Sequence, residues 1–236
     1  MTGHEIVLMG DPRVAAVPVQ DCGEPLVSLL GDSRFLLDRR KAELDGHWSR
    51  VRAGLVPQLW LAEQYLRGHG LRLLFVEGYR PLSLQRAYFE EYRAELAAAN
   101  PDWSSERLHL MTSRYVSPPE IAPHSCGAAI DVTLADAGGN ELDLGCRVNA
   151  TPEESGGLCY LDAEGLPEKA RALRNLLTGA LMTSGFVSYR PEFWHAELGT
   201  RFAALMTGEP AAWYGPVDDQ PAPAARDQAP VPGGER

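Results

Sequence analysis

The sequence predicts an α+β domain built on a small antiparallel sheet flanked by helices. Three observations carry that expectation. Amphipathic stretches with apolar residues at helical spacing alternate along the chain with short β-branched runs of strand length. Gly138-Gly139-Asn140 follows one of those runs as a hairpin turn. Finally, no apolar run approaches the ~18 residues needed to cross a bilayer, so the apolar segments must pack on one another.

Residues 1–50 hold scattered Gly, Pro and Asp and read as an irregular wrap with one or two strands. Val51, Leu55, Leu59, Trp60, Ala62 and Leu66 recur at helical spacing, with Gly68 and Gly70 as a stop; Pro57 either weakens this helix or starts it. Leu71 to Val76 is a compact strand ending at EGYRP, and a helix follows Pro81, rich in Ala, Glu and Leu until Asn100-Pro101. Another helix starts near Asp102 or Ser104, either of which can cap it. SPPEIAPH is an extended loop, because Pro118, Pro119 and Pro123 remove backbone donors. Gly127 to Leu134 reads as a strand, turning at 138–140 into a partner over Glu141 to Leu144. After an acidic, Gly-rich loop from Thr151 to Gly157, Pro167 to Ser184 gives an amphipathic helix closed by Gly185. Phe186 to Tyr189 and Phe193 to Leu198 form two short strands, and Thr200 to Met206 a last helical turn or two.

At 236 residues, 44% of them hydrophobic, the chain can bury the core of one domain, here 1–216. Residues 217–236, mostly Pro, Ala, Gly and charged residues, have too little to bury and are expected to be disordered. A net charge of -10 argues against a nucleic-acid partner, since phosphate binding relies on clustered Lys and Arg. Cys22, Cys126, Cys146 and Cys159 lack paired CxxC spacing and read as reduced thiols. The opening MTGHEIVLMGDPR has no apolar leader core, so a cytoplasmic protein with no membrane partner is expected.

Chemistry concentrates in HSCGAAID, from His124 to Asp131, and EFWH, from Glu192 to His195. Two imidazoles and one carboxylate are the ligand set of a catalytic zinc site, which keeps a position open for water. The carboxylate left over is a general base. An odd step puts residues on opposite faces of a strand, so His124 must curl back from the loop while Asp131 lies in the strand. Glu192 and His195 likewise need a bend or bulge between them. One His beside one Asp is usually an ordinary pair. Two remote motifs completing one ligand set are harder to obtain by chance.

EGYRP, PHSCGAAIDVTL and YRPEFWH resemble the three signature segments of VanX-type D-alanyl-D-alanine dipeptidases, within the wider group of zinc peptidases that includes D,D-carboxypeptidases and hedgehog-like domains. The resemblance spans roughly Val51 to Pro216. It implies a hedgehog/D,D-peptidase-like zinc peptidase fold and one Zn²⁺ per chain on His124, Asp131 and His195, with Glu192 as base and Arg80 as the catalytic arginine. Arg80 has a second reading, pairing with Glu77 to brace its loop. Glu77 matches an acid of the family and is expected, with Tyr79 and Trp194, among the substrate contacts. Tyr79 and Trp194 are expected to wall the site and hold the His195 ring. Ala122 and Pro123 stand where the family has two serines that help to hold the dipeptide, and Asn149 stands beside Arg147 where the family has a carboxylate. The implied substrate is a small D,D-dipeptide, D-alanyl-D-alanine first. The alternatives are a D,D-carboxypeptidase or L,D-peptidase acting on peptidoglycan fragments, or a non-catalytic zinc-stabilised binding domain.

Overall fold

The computed structural model describes residues 6–42 and 46–217. In chain order its elements are α1 (Pro12–Ala16), β1 (Leu26–Ser28), β2 (Leu36–Leu37), β3 (Arg50–Arg52), α2 (Leu55–Arg67), β4 (Leu71–Glu77), α3 (Leu82–Ala99) and α4 (Ser105–Thr112). They continue with β5 (Ala129–Asp136), α5 (Pro152–Ser155), α6 (Glu168–Thr183), β6 (Val187–Ser188), β7 (His195–Glu197) and α7 (Arg201–Thr207). Among the described residues no helix is long and apolar enough to cross a membrane. The anticipated tail lies, apart from Val217, outside the described residues.

The sheet has the order β2-β4-β5-β7-β6, and every pair is antiparallel except β2 with β4. β1 and β3 form a separate two-stranded ribbon. The main sheet is thus the small, largely antiparallel sheet expected, with helices around it. On one face Leu73, Phe75, Ile130, Val132 and Leu134 join Leu55, Leu59 and Leu66 of α2 and Leu173, Leu177 and Leu181 of α6 in one core. Each such side chain taken from water contributes about 1.5–3 kcal/mol. The alternate positions on the opposite face include Asp131 and Thr133 of β5 and His195 and Glu197 of β7.

Several boundaries differ from the sequence reading for identifiable reasons. Val51 pairs with Val27 in the ribbon, and α2 begins only at Leu55, with Pro57 in its first turn where a missing N–H costs nothing. Glu141 to Leu144 forms no second strand. Asp136 accepts hydrogen bonds from the backbone N–H groups of Gly138 and Asn140, and the return segment keeps only a bridge from Glu141 to Ala135 and a bond from Leu142 N to Leu134 O. Within the expected loop at 151–157, Thr151 and Glu154 form a reciprocal capping box that starts α5. Ser104 rather than Asp102 caps α4, accepting from Arg107 N.

Candidate metal centre and active site

The strand register assembles the site. Asp131 on β5 stands opposite His195 on β7, and on its other side opposite Glu77 on β4. Residues directly opposite share a face, so Glu77, Asp131 and His195 form one row across the polar face of the sheet. The row depends on a register shift between Phe75 and Glu77, which makes Val76 the extra residue. An unbroken alternation would have set a valine opposite Asp131.

His124 reaches the same spot from a 3-10 turn, His124–Cys126, ahead of β5. Gly127 ends that turn at φ +67°, a backbone conformation that favours glycine, and a Cβ there would also have to displace Leu26 Cδ2 from 2.2 Å. Arg52 fixes the turn from below, donating to Cys126 O at 2.8 Å, to Asp21 at 2.8 Å and to Gly215 O at 2.9 Å. The bend expected between Glu192 and His195 is present: Glu192 N bonds to Tyr189 O, His195 N to Glu192 O, and Tyr189 N to His195 O.

The three candidate ligand atoms, one each from His124, Asp131 and His195, all lie within 4.8 Å of one another and are buried. Each imidazole has its outer nitrogen already committed. His124 Nδ1 donates to Gly78 O at 2.7 Å, leaving Nε2 turned to Asp131 Oδ1 at 3.4 Å. His195 Nε2 donates to Glu197 Oε1 at 2.9 Å, leaving Nδ1 at 3.0 Å from the same Asp131 oxygen. Two imidazole nitrogens and a carboxylate oxygen therefore converge, each ring oriented by a fixed acceptor on its outer nitrogen, and that donor chemistry fits a divalent metal ion.

The electrostatics agree. Burial opposes the charge on Asp131, yet His124 and His195 outweigh it and hold the carboxyl far below its usual range. Burial alone would lower the pKa of His195, but Asp131 and Glu197 raise it well above the ordinary value. Two buried carboxylates facing two imidazoles create a demand for positive charge, which protons or a metal ion can meet. Burial, aided by Asp131 and opposed chiefly by His195, pushes the Glu192 carboxyl up to about 7. Its side chain is still 23% exposed and lies 3.9 Å from His195 Nδ1. A cation in the triad would draw that carboxyl back toward its ionised form.

These residues open on a cleft of about 270 Å³ whose walls include Arg80, Tyr115, Asn149, Tyr189 and Trp194. Arg80 makes the bracing pair with Glu77 and also faces the cleft. Its guanidinium makes a bidentate pair with Glu77, at 2.7 and 2.8 Å, donates to Gln85 Oε1 at 2.9 Å, and lines the cleft. Gln85 is itself anchored by donating to Ser117 O at 2.8 Å.

The expected substrate contacts are partly corrected. Glu77 is fully buried beneath Arg80 and also pairs with Lys41 at 3.4 Å, so it braces the arginine and does not reach the cleft. Tyr79, Ala122 and Pro123 are buried away from the cleft walls; the Tyr79 ring packs on His47. Trp194 does line the cleft, its ring against Phe193, and its Nε1–H has no partner among the described residues. The rings that pack edge-on against His195 are Tyr189, at 5.7 Å between centroids, and His124, at 4.9 Å. Arg147 points outward to Glu154, whereas Asn149 lines the cleft at φ +62°. The four cysteines are free, and burial of Cys126 pushes its thiol up to about 12, as suits a packing residue.

Glu197 and Tyr189 escaped the sequence reading. Tyr189 opens the YRPEFWH segment without a role of its own there, Glu197 lies beyond that segment, and only the strand period linking 195 with 197 hinted that Glu197 shares a face with His195.

A buried imidazole–carboxylate triad, opening with a spare carboxylate and an arginine on a peptide-sized cleft, defines the class: the chain is a metallopeptidase. A family profile described as D-Ala-D-Ala dipeptidase matches residues 52–206, and the chain belongs to that family. A D-alanyl-D-alanine dipeptidase of Synechocystis sp. is 25% identical over 236 residues, covering 86% of this chain and 96% of that protein. One of Escherichia coli is 32% identical over 130 residues, covering 55% of this chain and 56% of the relative. Among solved structures, the LdcB LD-carboxypeptidase has a TM-score of 0.47 at 17% identity, covering 83% of this chain and 81% of that one. A vancomycin-resistance D,D-pentapeptidase VanY variant in complex with Zn(II) has a TM-score of 0.43 at 17% identity, covering 82% and 88%.

Proposed function

We propose that this enzyme is a zinc-dependent dipeptidase that hydrolyses D-alanyl-D-alanine, with Glu192 as general base. The observation that carries the proposal is the pair of histidines whose outer nitrogens are held by Gly78 O and Glu197, so that His124 Nε2, His195 Nδ1 and Asp131 can bind one ion beside Glu192. Bound there, Zn²⁺ would supply Lewis acidity, polarising a carbonyl and making water acidic enough to ionise near neutral pH.

The chain's own residues do the rest. Glu192 accepts a proton from the attacking water as its oxygen bonds to the scissile carbonyl carbon. As the C–N bond breaks, Glu192 returns that proton to the departing nitrogen, giving one free carboxylate and one free amine. Arg80, held by Glu77 and Gln85, keeps unused N–H groups for the oxygen that becomes negative when the carbonyl turns tetrahedral, a contribution on the order of 3–4 kcal/mol per donor. A free dipeptide carries both signs of charge, and the cleft walls offer Lys41 and Arg114 as well as Glu91 and Glu95. Family membership and the names of the relatives support D-alanyl-D-alanine as the substrate.

The test is release of free D-alanine from D-Ala-D-Ala by the zinc-loaded protein. Turnover should vanish with a chelator and return with zinc. Inactivity of fully metallated protein on D,D-dipeptides would reject the proposal.

A further inference from the structure

Arg174, on α6, is only 2% exposed, yet its guanidinium forms no ion pair among the described residues. Arg52, also buried, pairs with Asp21. A guanidinium taken from water without such a partner must satisfy its N–H groups in another way. Here Nε donates to Leu144 O at 2.7 Å, Nη1 to Tyr160 O at 2.8 Å and Nη2 to Leu158 O at 2.7 Å, with Cys146 Sγ 3.9 Å from Nη2. The ion lies over the Phe193 ring, its central carbon 4.0 Å from the centroid.

Two of those carbonyls belong to a short strap, residues 158–161, whose remaining backbone groups hold the segment that carries Glu192. Leu158 O and Tyr160 O are taken by Arg174, whereas Cys159 O accepts from Phe193 N at 3.0 Å and Leu161 N donates to Arg190 O at 2.8 Å. Glu192 therefore stands between two backbone bonds to the strap, and the ring of the next residue rests on Arg174 itself. The two histidines of the triad are oriented by other groups, Gly78 O and Glu197. Arg174 is neither a wall of the cleft nor one of the candidate metal ligands.

We infer that Arg174 is a positioning residue for Glu192: spread over Leu158 O, Tyr160 O and the Phe193 ring, its guanidinium sets where the base stands relative to the metal triad. This inference rests on Glu192 acting as proposed above. A base acts in the reaction step, so misplacing it lowers turnover and spares the binding of zinc and peptide.

The experiment measures kcat and KM for D-Ala-D-Ala, and zinc affinity by chelator competition, on full-length Arg174→Met and Phe193→Leu, with kcat counted per folded, zinc-loaded molecule. Arg174→Met should lower kcat by about 10- to 100-fold, the scale of a reacting group displaced by about 1 Å, while KM and zinc affinity stay within about two-fold. In a Glu192→Ala background the same substitution should change the residual rate by less than about two-fold, because no base remains to misplace. If Arg174→Met fails to fold, Phe193→Leu, which removes the ring and keeps the backbone bond to Cys159, should lower kcat several-fold with the other two constants unchanged. A folded variant with wild-type kcat, a loss shared by KM or zinc affinity, or the same fold-loss with Glu192 absent would overturn the inference. Undiminished turnover in Glu192→Ala alone would instead reject the base on which it stands.

Discussion

His195 Nε2 lies 2.9 Å from Glu197 Oε1, two residues further along β7 and on the same face of the strand. The carboxylate can only accept, so Nε2 donates to it, and Nδ1, turned to Asp131, is the nitrogen left to take either a proton or a metal ion. Thr200, the N-cap of α7, donates its hydroxyl to the other Glu197 oxygen. The start of a helix is thereby linked through one carboxylate to a candidate metal ligand.

Glu197→Ala should therefore weaken zinc binding by about 10–100-fold, the usual range for loss of a partner that orients a ligating histidine. Glu197→Gln, which can still accept from Nε2, should lose less. Competition with a chromophoric chelator measures both, and wild-type affinity in the alanine variant would show that the contact does not orient His195.

On the proposed mechanism Arg80→Ala should keep zinc and lower kcat by about 10²–10³-fold, because it would remove a donor to charge that develops only during reaction. Glu77→Gln should have a smaller effect on kcat, since it loosens the guanidinium without deleting it. Zinc content and steady-state kinetics on the same preparations separate this from a metal-site defect.

Acid should reveal the Glu77 pair through stability. Burial opposes its ionisation, but Arg80, with smaller help from His124 and Lys41, holds the carboxyl down at about 2. An unfolded chain takes up a proton there near 4.5 while the folded chain does not, so this contribution is complete above that pH. It declines as the pH falls from about 4.5 toward 2. The slope of Tm against pH in that window should be shallower in Glu77→Gln than in the wild type, and equal slopes would contradict the assignment.

How much of this could be read from the sequence follows from where the information lies. α3 and α6 are local objects, and their composition, periodicity and flanking Pro, Asn and Gly residues place them to within a few residues. The spacing of HSCGAAID and EFWH likewise demanded a turn before β5 and a bend before β7, and both exist. Contacts made across strands were hidden. The shift at Val76 that puts Glu77 beside Asp131 leaves no trace in a run of apolar residues, so Glu77 looked like a substrate ligand when it is a buried brace. Glu141 to Leu144 resembled a strand because the competing bonds made by Asp136 appear only once the chain is folded.

The C-terminal boundary can be tested by truncation. Val217 N donates to Ser125 O at 2.8 Å, beside His124, and Gly215 bonds both Asp21 and Arg52. A chain ending at Val217 should keep its Tm within about 2 °C, whereas one ending at Tyr214 should fall by several times that as buried Arg52 loses an acceptor. A large drop on removing 218–236 alone would extend the domain beyond 216.

The central claim, one metal ion shared by His124, Asp131 and His195 next to Glu192, is tested most directly by anomalous diffraction at the zinc edge from crystals of the zinc-loaded protein. The account predicts a single strong peak bonded to His124 Nε2, an Asp131 carboxylate oxygen and His195 Nδ1, with Glu192 close by and unbonded. A peak elsewhere, or none at this site in fully loaded crystals, would contradict it.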